Sequence, residues 1–419
     1  MSGELTRLQQ DADSGDIDAQ IQLADLYENG IGVAQDFGQA AYWYQQAVEQ
    51  SSVKAHSKLG QMFLRGVGVA KDEIQAAKLL AFAAEENDST AQANLAWCYQ
   101  HGLGLNKNYQ QAFKYYLSAA KQGNAGARYN LAFMYSVGAG IDKNLLEAFH
   151  WYELAAKQGH MKAQLNLGLM FAKGEGVEAD EERAAYWYKE AANQGYAKAQ
   201  YNLALMYGGG LGVEQDDEVA FKWHELAAEQ GYARAQFNLG LFYANGLGVP
   251  QDYQQAKHFF EKAANQDYAK ANYQIGKLYA FGRGVSVNEI EAAKYIELSA
   301  EGGYAKAQYK LGYLFLQGQG VELNEIKACE WFMRAAKGGF VKAQHMLGVR
   351  YAKGQGLEKN YIHSYAWLKL AVEQSSDEQI KQVLKKVEKR LTEAQIAEAM
   401  VLASNFGQGY SNMPKTVVN

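Results

Sequence analysis

Two cysteines and two prolines are very few for 419 residues. So few thiols exclude a disulfide framework. The prolines, Pro250 and Pro414, fall outside every helical pattern, so none interrupts a helix. Long apolar runs are also missing. Leu165 to Ala172 is broken by Asn166, and Leu311 to Leu316 is short, whereas a membrane-crossing helix needs ~20 apolar residues. The first twenty residues carry Glu4, Arg7, Asp11, Asp13, Asp16 and Asp18, which leaves no room for the apolar core of a signal peptide. The chain is therefore expected to be soluble and cytoplasmic. It has no excess of positive charge either. The net charge of −5 argues against a dedicated nucleic-acid binder. What it has in quantity is apolar residues (48%), 42 glycines and 29 tyrosines, which exclude a mostly disordered chain.

Half of the glycine is one feature copied along the chain. The pair Gly-x-Gly starts at Gly30, Gly66, Gly102, Gly138, Gly174, Gly210, Gly246, Gly282, Gly318 and Gly354, always 36 residues apart. Eleven residues before each stands an alanine, from Ala19 to Ala343, six before each stands Gly or Ala, and three before each stands Tyr or Phe. A fixed period of this length marks a solenoid. Each unit reads as two helices. In the sixth, Ala199, Leu203, Met206 and Tyr207 share one face of a first helix that Gly210 ends. Asp216 opens the second helix as N-cap, and its equivalent is Asp or Asn in all ten units. Ala220, Trp223 and Ala227 form the buried stripe of that second helix.

The sixth unit, Ala199-Gln200-Tyr201-Asn202-Leu203-Ala204-Leu205-Met206-Tyr207 followed by Gly210-Leu211-Gly212-Val213, Trp223, Ala227-Ala228 and Gln230-Gly231, resembles the Sel-one-like repeat family, relatives of the tetratricopeptide repeat. The resemblance implies an all-α, α/α right-handed solenoid of ten 36-residue helix-turn-helix repeats. It also implies a scaffold or adaptor for another protein rather than an enzyme. The expected layout is an N-terminal capping helix over 1–16, ten repeats over 17–376, C-terminal capping helices over 377–403 and a flexible tail over 404–419. Thr392 with Gln395 forms a capping box for the last helix.

In the tetratricopeptide relatives the first helix of each unit lines the concave surface, which carries three rows of this chain onto a candidate groove. A basic row runs Lys162, Lys198, Arg234, Lys270, Lys306 and Lys342. Cations near a helix N-terminus oppose the macrodipole, so a repeated violation points to a use, an acidic partner. The alternative is a solvated face balanced by nearby carboxylates. Beside it lie Asn130, Asn166, Asn202 and Asn238, whose amides suit an extended backbone or, alternatively, brace the solenoid. The third row combines Tyr129, Tyr201, Phe237 and Tyr273 with Phe133, Leu169, Leu205 and Leu241, either as partly exposed anchors or as packing between units. The rows overlap over Lys162 to Tyr243, and with Tyr129 and Asn130 added the site is expected across Gly126 to Tyr243.

Catalytic chemistry finds no foothold. Ten Gly-x-Gly copies after helices are turns, not phosphate loops. His224-Glu225 has Ala228 where a zinc-protease motif needs histidine, and the other histidines are scattered, so no metal or cofactor is expected. Cys98 and Cys329 stand more than six units apart and are expected as free thiols in a reducing compartment. No acid–base pair stands out. The leading expectation is a non-enzymatic scaffold gripping an acidic, partly apolar segment of another protein, with no small-molecule substrate and no membrane. A dedicated inhibitor or immunity-type protein is the alternative. An enzyme or a single-stranded nucleic-acid binder comes behind both.

Overall fold

The computed structural model describes residues 2–411, with side chains for residues 4–406. Among the described residues there are 23 helices and no strand. They fall into two compact units, Met1–Gln215 and Asp216–Asn419. The first unit holds α1 (Ser2–Asp13), α2 (Ile17–Asn29), α3 (Phe37–Glu49), α4 (Val53–Arg65), α5 (Glu73–Glu85) and α6 (Ser89–His101). It continues with α7 (Tyr109–Lys121), α8 (Ala125–Val137), α9 (Leu145–Lys157), α10 (Met161–Lys173), α11 (Glu181–Asn193) and α12 (Ala197–Gly209). The second holds α13 (Asp217–Glu229), α14 (Ala233–Asn245), α15 (Tyr253–Ala264), α16 (Ala269–Phe281), α17 (Glu289–Glu301) and α18 (Ala305–Gln317). It ends with α19 (Glu325–Lys337), α20 (Val341–Lys353), α21 (Tyr361–Gln374), α22 (Glu378–Glu388) and α23 (Glu393–Ser411). From α2 to α20 the even-numbered helices are the first helices of the ten repeats, and α3 to α21 the second helices. Within each unit every helix packs on the next, except that α23 packs back on α21 rather than on α22. This is the expected α/α solenoid of ten 36-residue repeats.

Local sequence explains each boundary. All ten Asp or Asn residues at the second-helix starts accept a backbone N–H, as Asp180 does from Arg183 at 2.9 Å and Asn324 from Lys327 at 2.9 Å. Each first helix ends on a left-handed glycine. Gly174, at φ +67°, donates its N–H to the Met170 carbonyl. From Gly68 onward the second glycine of each pair has a different reason. A Cβ on Gly176, at φ +72°, would run into the backbone of Leu145 in the preceding repeat. Turn and neighbouring helix touch there without a side chain between them.

The core follows the same period. One register of the second helices buries Tyr44, Leu80, Tyr116, Tyr152 and Tyr188 in the first unit, and His224, Phe260, Ile296, Phe332 and Leu368 in the second. A small residue faces each. A Cβ on Gly168 would stand 2.7 Å from Tyr188, and one on Gly312 would stand 2.6 Å from Phe332. Buried glutamines tie successive repeats. Gln164 Nε2 donates to the Ala156 carbonyl at 3.2 Å, while its own Oε1 accepts from Gln194 at 2.7 Å. Gln236 repeats the pattern with Ala228 at 3.2 Å and Gln266 at 2.8 Å. Leaving such an amide unpaired would cost ~1–3 kcal/mol.

Both ends are covered. Leu5 and Leu8 of α1 pack against the first repeat, and Ile380 and Val387 of α22 against the last. Thr392 and Gln395 exchange the expected bonds, at 3.0 and 3.3 Å. The tail expected over 404–419 needs correction. The helix α23 continues to Ser411. Its apolar stripe does not stop at Ala403, because Phe406 stacks on Trp367 with centroids 4.3 Å apart. Residues 412–419 of that expected tail lie outside the described residues.

Candidate partner-binding face

The first helices carry almost no negative charge. From α4 through α20 none contains an aspartate or glutamate. Acid appears only in α2, as Asp18, Asp25 and Glu28. There Lys54 bonds Asp25 at 2.8 Å and Lys58 bonds Glu28 at 2.8 Å. Burial pushes the Asp25 carboxyl up, but hydrogen bonds from Lys54 and Tyr44 and the charges of Lys54 and Lys58 carry it below its ordinary value. Elsewhere Lys173 reaches Glu175 at 3.9 Å and Arg350 reaches Glu325 at 3.8 Å, but the basic row itself is unmatched. Lys162, Lys198 and Arg234 are exposed and Lys270 is half-buried. Among the described residues none of these, nor Lys306 or Lys342, has a carboxylate at ion-pair distance. A chain of net charge −5 thus keeps one class of helix free of acid. That signal is in the sequence, as a missing residue type on alternate helices.

The asparagines are half-buried. Asn166 lowers the pKa of the Tyr129 and Tyr152 hydroxyls against the rise that burial imposes on both, and Asn238 Nδ2 lies 3.2 Å from His224 Nε2. Both sit fourteen residues after a buried polar ring, and both brace it. Asn130 differs. The Tyr116 hydroxyl in the matching position is buried without a partner, and the Asn130 amide lines a cleft instead. Asn202 occupies the same register, half-buried.

The aromatic row splits in two. Tyr129 stacks on His160 at 4.7 Å, and Tyr273 meets Tyr304 at 5.4 Å edge to face. Each ring reaches the residue that opens the next first helix, so this row fastens repeat to repeat. Phe237, expected as a partly exposed anchor, is 8% exposed, wedged between Phe260 and Tyr268, and is corrected to a core residue. Tyr201 is half-buried. One turn further along, the apolar residues do reach solvent. Trp97, Phe133 and Leu205 are 43%, 41% and 42% exposed, while Leu169 and Leu241 are half-buried.

Three first helices of the first unit frame a cleft of about 790 Å³. Trp97 and His101 come from α6, Tyr129, Asn130 and Phe133 from α8, and Met161 and Lys162 from α10. Gly126 lines it where the next repeat carries the cation Lys162 and the preceding one Thr90. His101 lies against Trp97 at 3.7 Å. His160 accepts from the Ala163 N–H at 3.2 Å, and burial and then Lys162 hold its imidazole below the ordinary pKa. Apolar walls, an amide and an ammonium at one edge can hold an apolar side chain with a carboxylate beside it. Sequence reasoning placed Tyr129, Asn130, Phe133 and Lys162 here but missed His101, His160 and Met161. His160 carried a signal, since imidazole is an unusual N-cap.

Reactive groups are sparse. Among the described residues no three His, Cys, Asp or Glu side chains are grouped to hold a metal. Cys98 and Cys329 are buried free thiols. Burial, then Glu73, pushes Cys98 up to about 11. No described helix is long and apolar enough to cross a membrane.

The repeat geometry matches a known family model, the Sel1 repeat, ten times, over residues 17–52, 53–88, 89–124, 125–160, 162–196, 197–232, 233–268, 269–304, 305–340 and 341–376. The chain belongs to the Sel1 repeat family. Among solved structures it is similar to a protective antigen of uropathogenic Escherichia coli strains displaying an SLR fold. The two are 31% identical over 98% of this chain and 89% of that one, with a TM-score of 0.78. A Sel1 repeat protein from Oxalobacter formigenes is 30% identical over 82% of this chain and 88% of its own, at 0.56. An immunity protein from Pseudomonas aeruginosa is 22% identical over 54% of this chain and 82% of its own, at 0.35, a likeness that bears on nothing further. No curated protein matches the chain.

Proposed function

We propose that this Sel1 repeat protein is a non-enzymatic scaffold or adaptor that holds an acidic, partly apolar segment of another protein on its first helices. The observation that carries the reading is the absence of Asp and Glu from every first helix from α4 to α20 on a chain with an acidic excess. Unpaired cations over one set of helices steer and retain a negatively charged partner. The cleft at Trp97, Phe133 and Lys162 supplies the apolar anchor, with aromatic surface already exposed. Lys198 and Leu205 extend the same chemistry along α12 in the first unit. Buried free thiols suit a reducing, cytoplasmic setting.

The test is quantitative capture of partners from the source cells. The double variant Trp97→Ala with Phe133→Ala is expected to retain at least ~10-fold less, in line with ~1–2 kcal/mol per aromatic anchor. Lys162→Glu with Lys198→Glu is expected to weaken capture and flatten its salt dependence. Unchanged capture by both variants overturns the reading.

A further inference from the structure

The first two repeats show how this fold seats a carboxylate. Lys54 and Lys58, four residues apart on α4, reach Asp25 and Glu28 on α2 at 2.8 Å each. The Tyr44 hydroxyl donates to the same two carboxylates, at 2.5 and 2.8 Å. The ninth repeat restates the lysine pair. Lys306 and Lys310 occupy on α18 the registers of Lys54 and Lys58 on α4. On the facing helix α16, however, Lys277 stands in the register of Asp25 and Ala280 in that of Glu28. The lysines have been kept and their carboxylates removed, with a further cation put in one of the vacated places.

We propose that the α16–α18 face of the second unit is a binding surface for a run of acidic side chains in a partner protein, whose carboxylates take the places that Asp25 and Glu28 fill in the first unit. Lys270, Lys277, Lys306 and Lys310 have no carboxylate at ion-pair distance among the described residues. Lys277 is half-buried and donates only to the neutral Gln274 Oε1, at 3.1 Å. Burial, then the like charges of Lys306 and Arg283, hold its ammonium below the ordinary lysine value, a strain that an arriving anion relieves. Peptide acid is favoured over nucleic acid by the rings. Tyr273 is turned edge to face against Tyr304, and Tyr309 against Tyr313. Lys306 lies over the Tyr273 ring at 5.7 Å and the Tyr309 hydroxyl bonds that of Tyr313 at 3.3 Å, so the rings are engaged within the protein while the ammonium groups keep protons for carboxylate oxygens. The surface belongs to the second unit and the α6–α8–α10 cleft to the first, so the proposal stands whether or not that cleft anchors a partner.

The experiment titrates the full chain with a fluorescently labelled oligoglutamate peptide at low ionic strength, read by anisotropy. Saturable, salt-sensitive binding is expected. Lys277→Asp with Ala280→Glu copies α2 onto α16 and is expected to lower affinity at least ~10-fold without lowering the melting temperature, because the new acids pair with Lys306 and Lys310 internally. Lys306→Gln with Lys310→Gln is expected to weaken binding as well. Tyr186→Ala, at an exposed ring of α11 outside both faces, is expected to leave it unchanged. The proposal is overturned by an absence of saturable binding, by wild-type affinity in both charge variants, or by loss of binding in the Tyr186 variant. It is also overturned by an oligothymidylate that binds more tightly than the peptide through the same lysines.

Discussion

His224 ties packing to pH through a single side chain. It fills a place that its neighbours give to tyrosine or phenylalanine, and burial pulls its pKa down to about 3. The unfolded chain takes up this proton near pH 6.5, while the folded chain refuses it until near pH 3. Between those values the unfolded state holds more protons. Stability therefore falls as pH drops below 6.5, with a slope approaching ~1.4 kcal/mol per unit from this group. Urea midpoints measured from pH 7 to 5 should decline, and His224→Phe should decline less. Gly312 makes a steric prediction. Its added Cβ would lie 2.6 Å from Phe332, so Gly312→Ala should cost ~1–3 kcal/mol in denaturant unfolding. The small residue at this register was legible in the sequence; the ring it faces was not. The same holds for Tyr129 and Phe133. They are four residues apart on one stripe, and no pattern within that stripe distinguishes them. The distinction comes from His160, thirty-one residues away, which covers one ring and leaves the other exposed.

Helices and turns were the most legible level. Asp or Asn at each second-helix start and glycine at each first-helix end encode their function in a few adjacent residues, and every one caps as its chemistry requires. Asn324→Ala should accordingly lower stability by ~1 kcal/mol, measured by thermal or urea unfolding. The last helix was harder, because no further repeat follows to set its length. Ala399, Ala403 and Phe406 continue one stripe along α23, and Phe406 finds Trp367 of α21 only in three dimensions. Phe406→Ala should cost ~1–3 kcal/mol and loosen α23, seen as faster amide exchange over 396–406 with little change in α2 to α6.

Over the whole chain, the informative pattern is where acid is missing. Ten repeats of one length made the fold readable, since the period survives any substitution that keeps the turns. Function depends on departures from the period, such as Gly126 in the register of Lys162 or Lys277 in the register of Asp25, and these acquire meaning only when neighbouring helices are placed side by side. The Asn row shows the limit. Asn130 and Asn166 share a register, yet one lines a cleft and the other braces two tyrosines. The central claim is that partners meet the first helices and not the second. A photo-crosslinking residue placed in the source cells at Leu205, 42% exposed on α12, and separately at Tyr186, 55% exposed on α11, tests it directly. Adducts to a partner from position 205 and none from 186 are the predicted result; adducts from 186 with none from 205 would contradict the account.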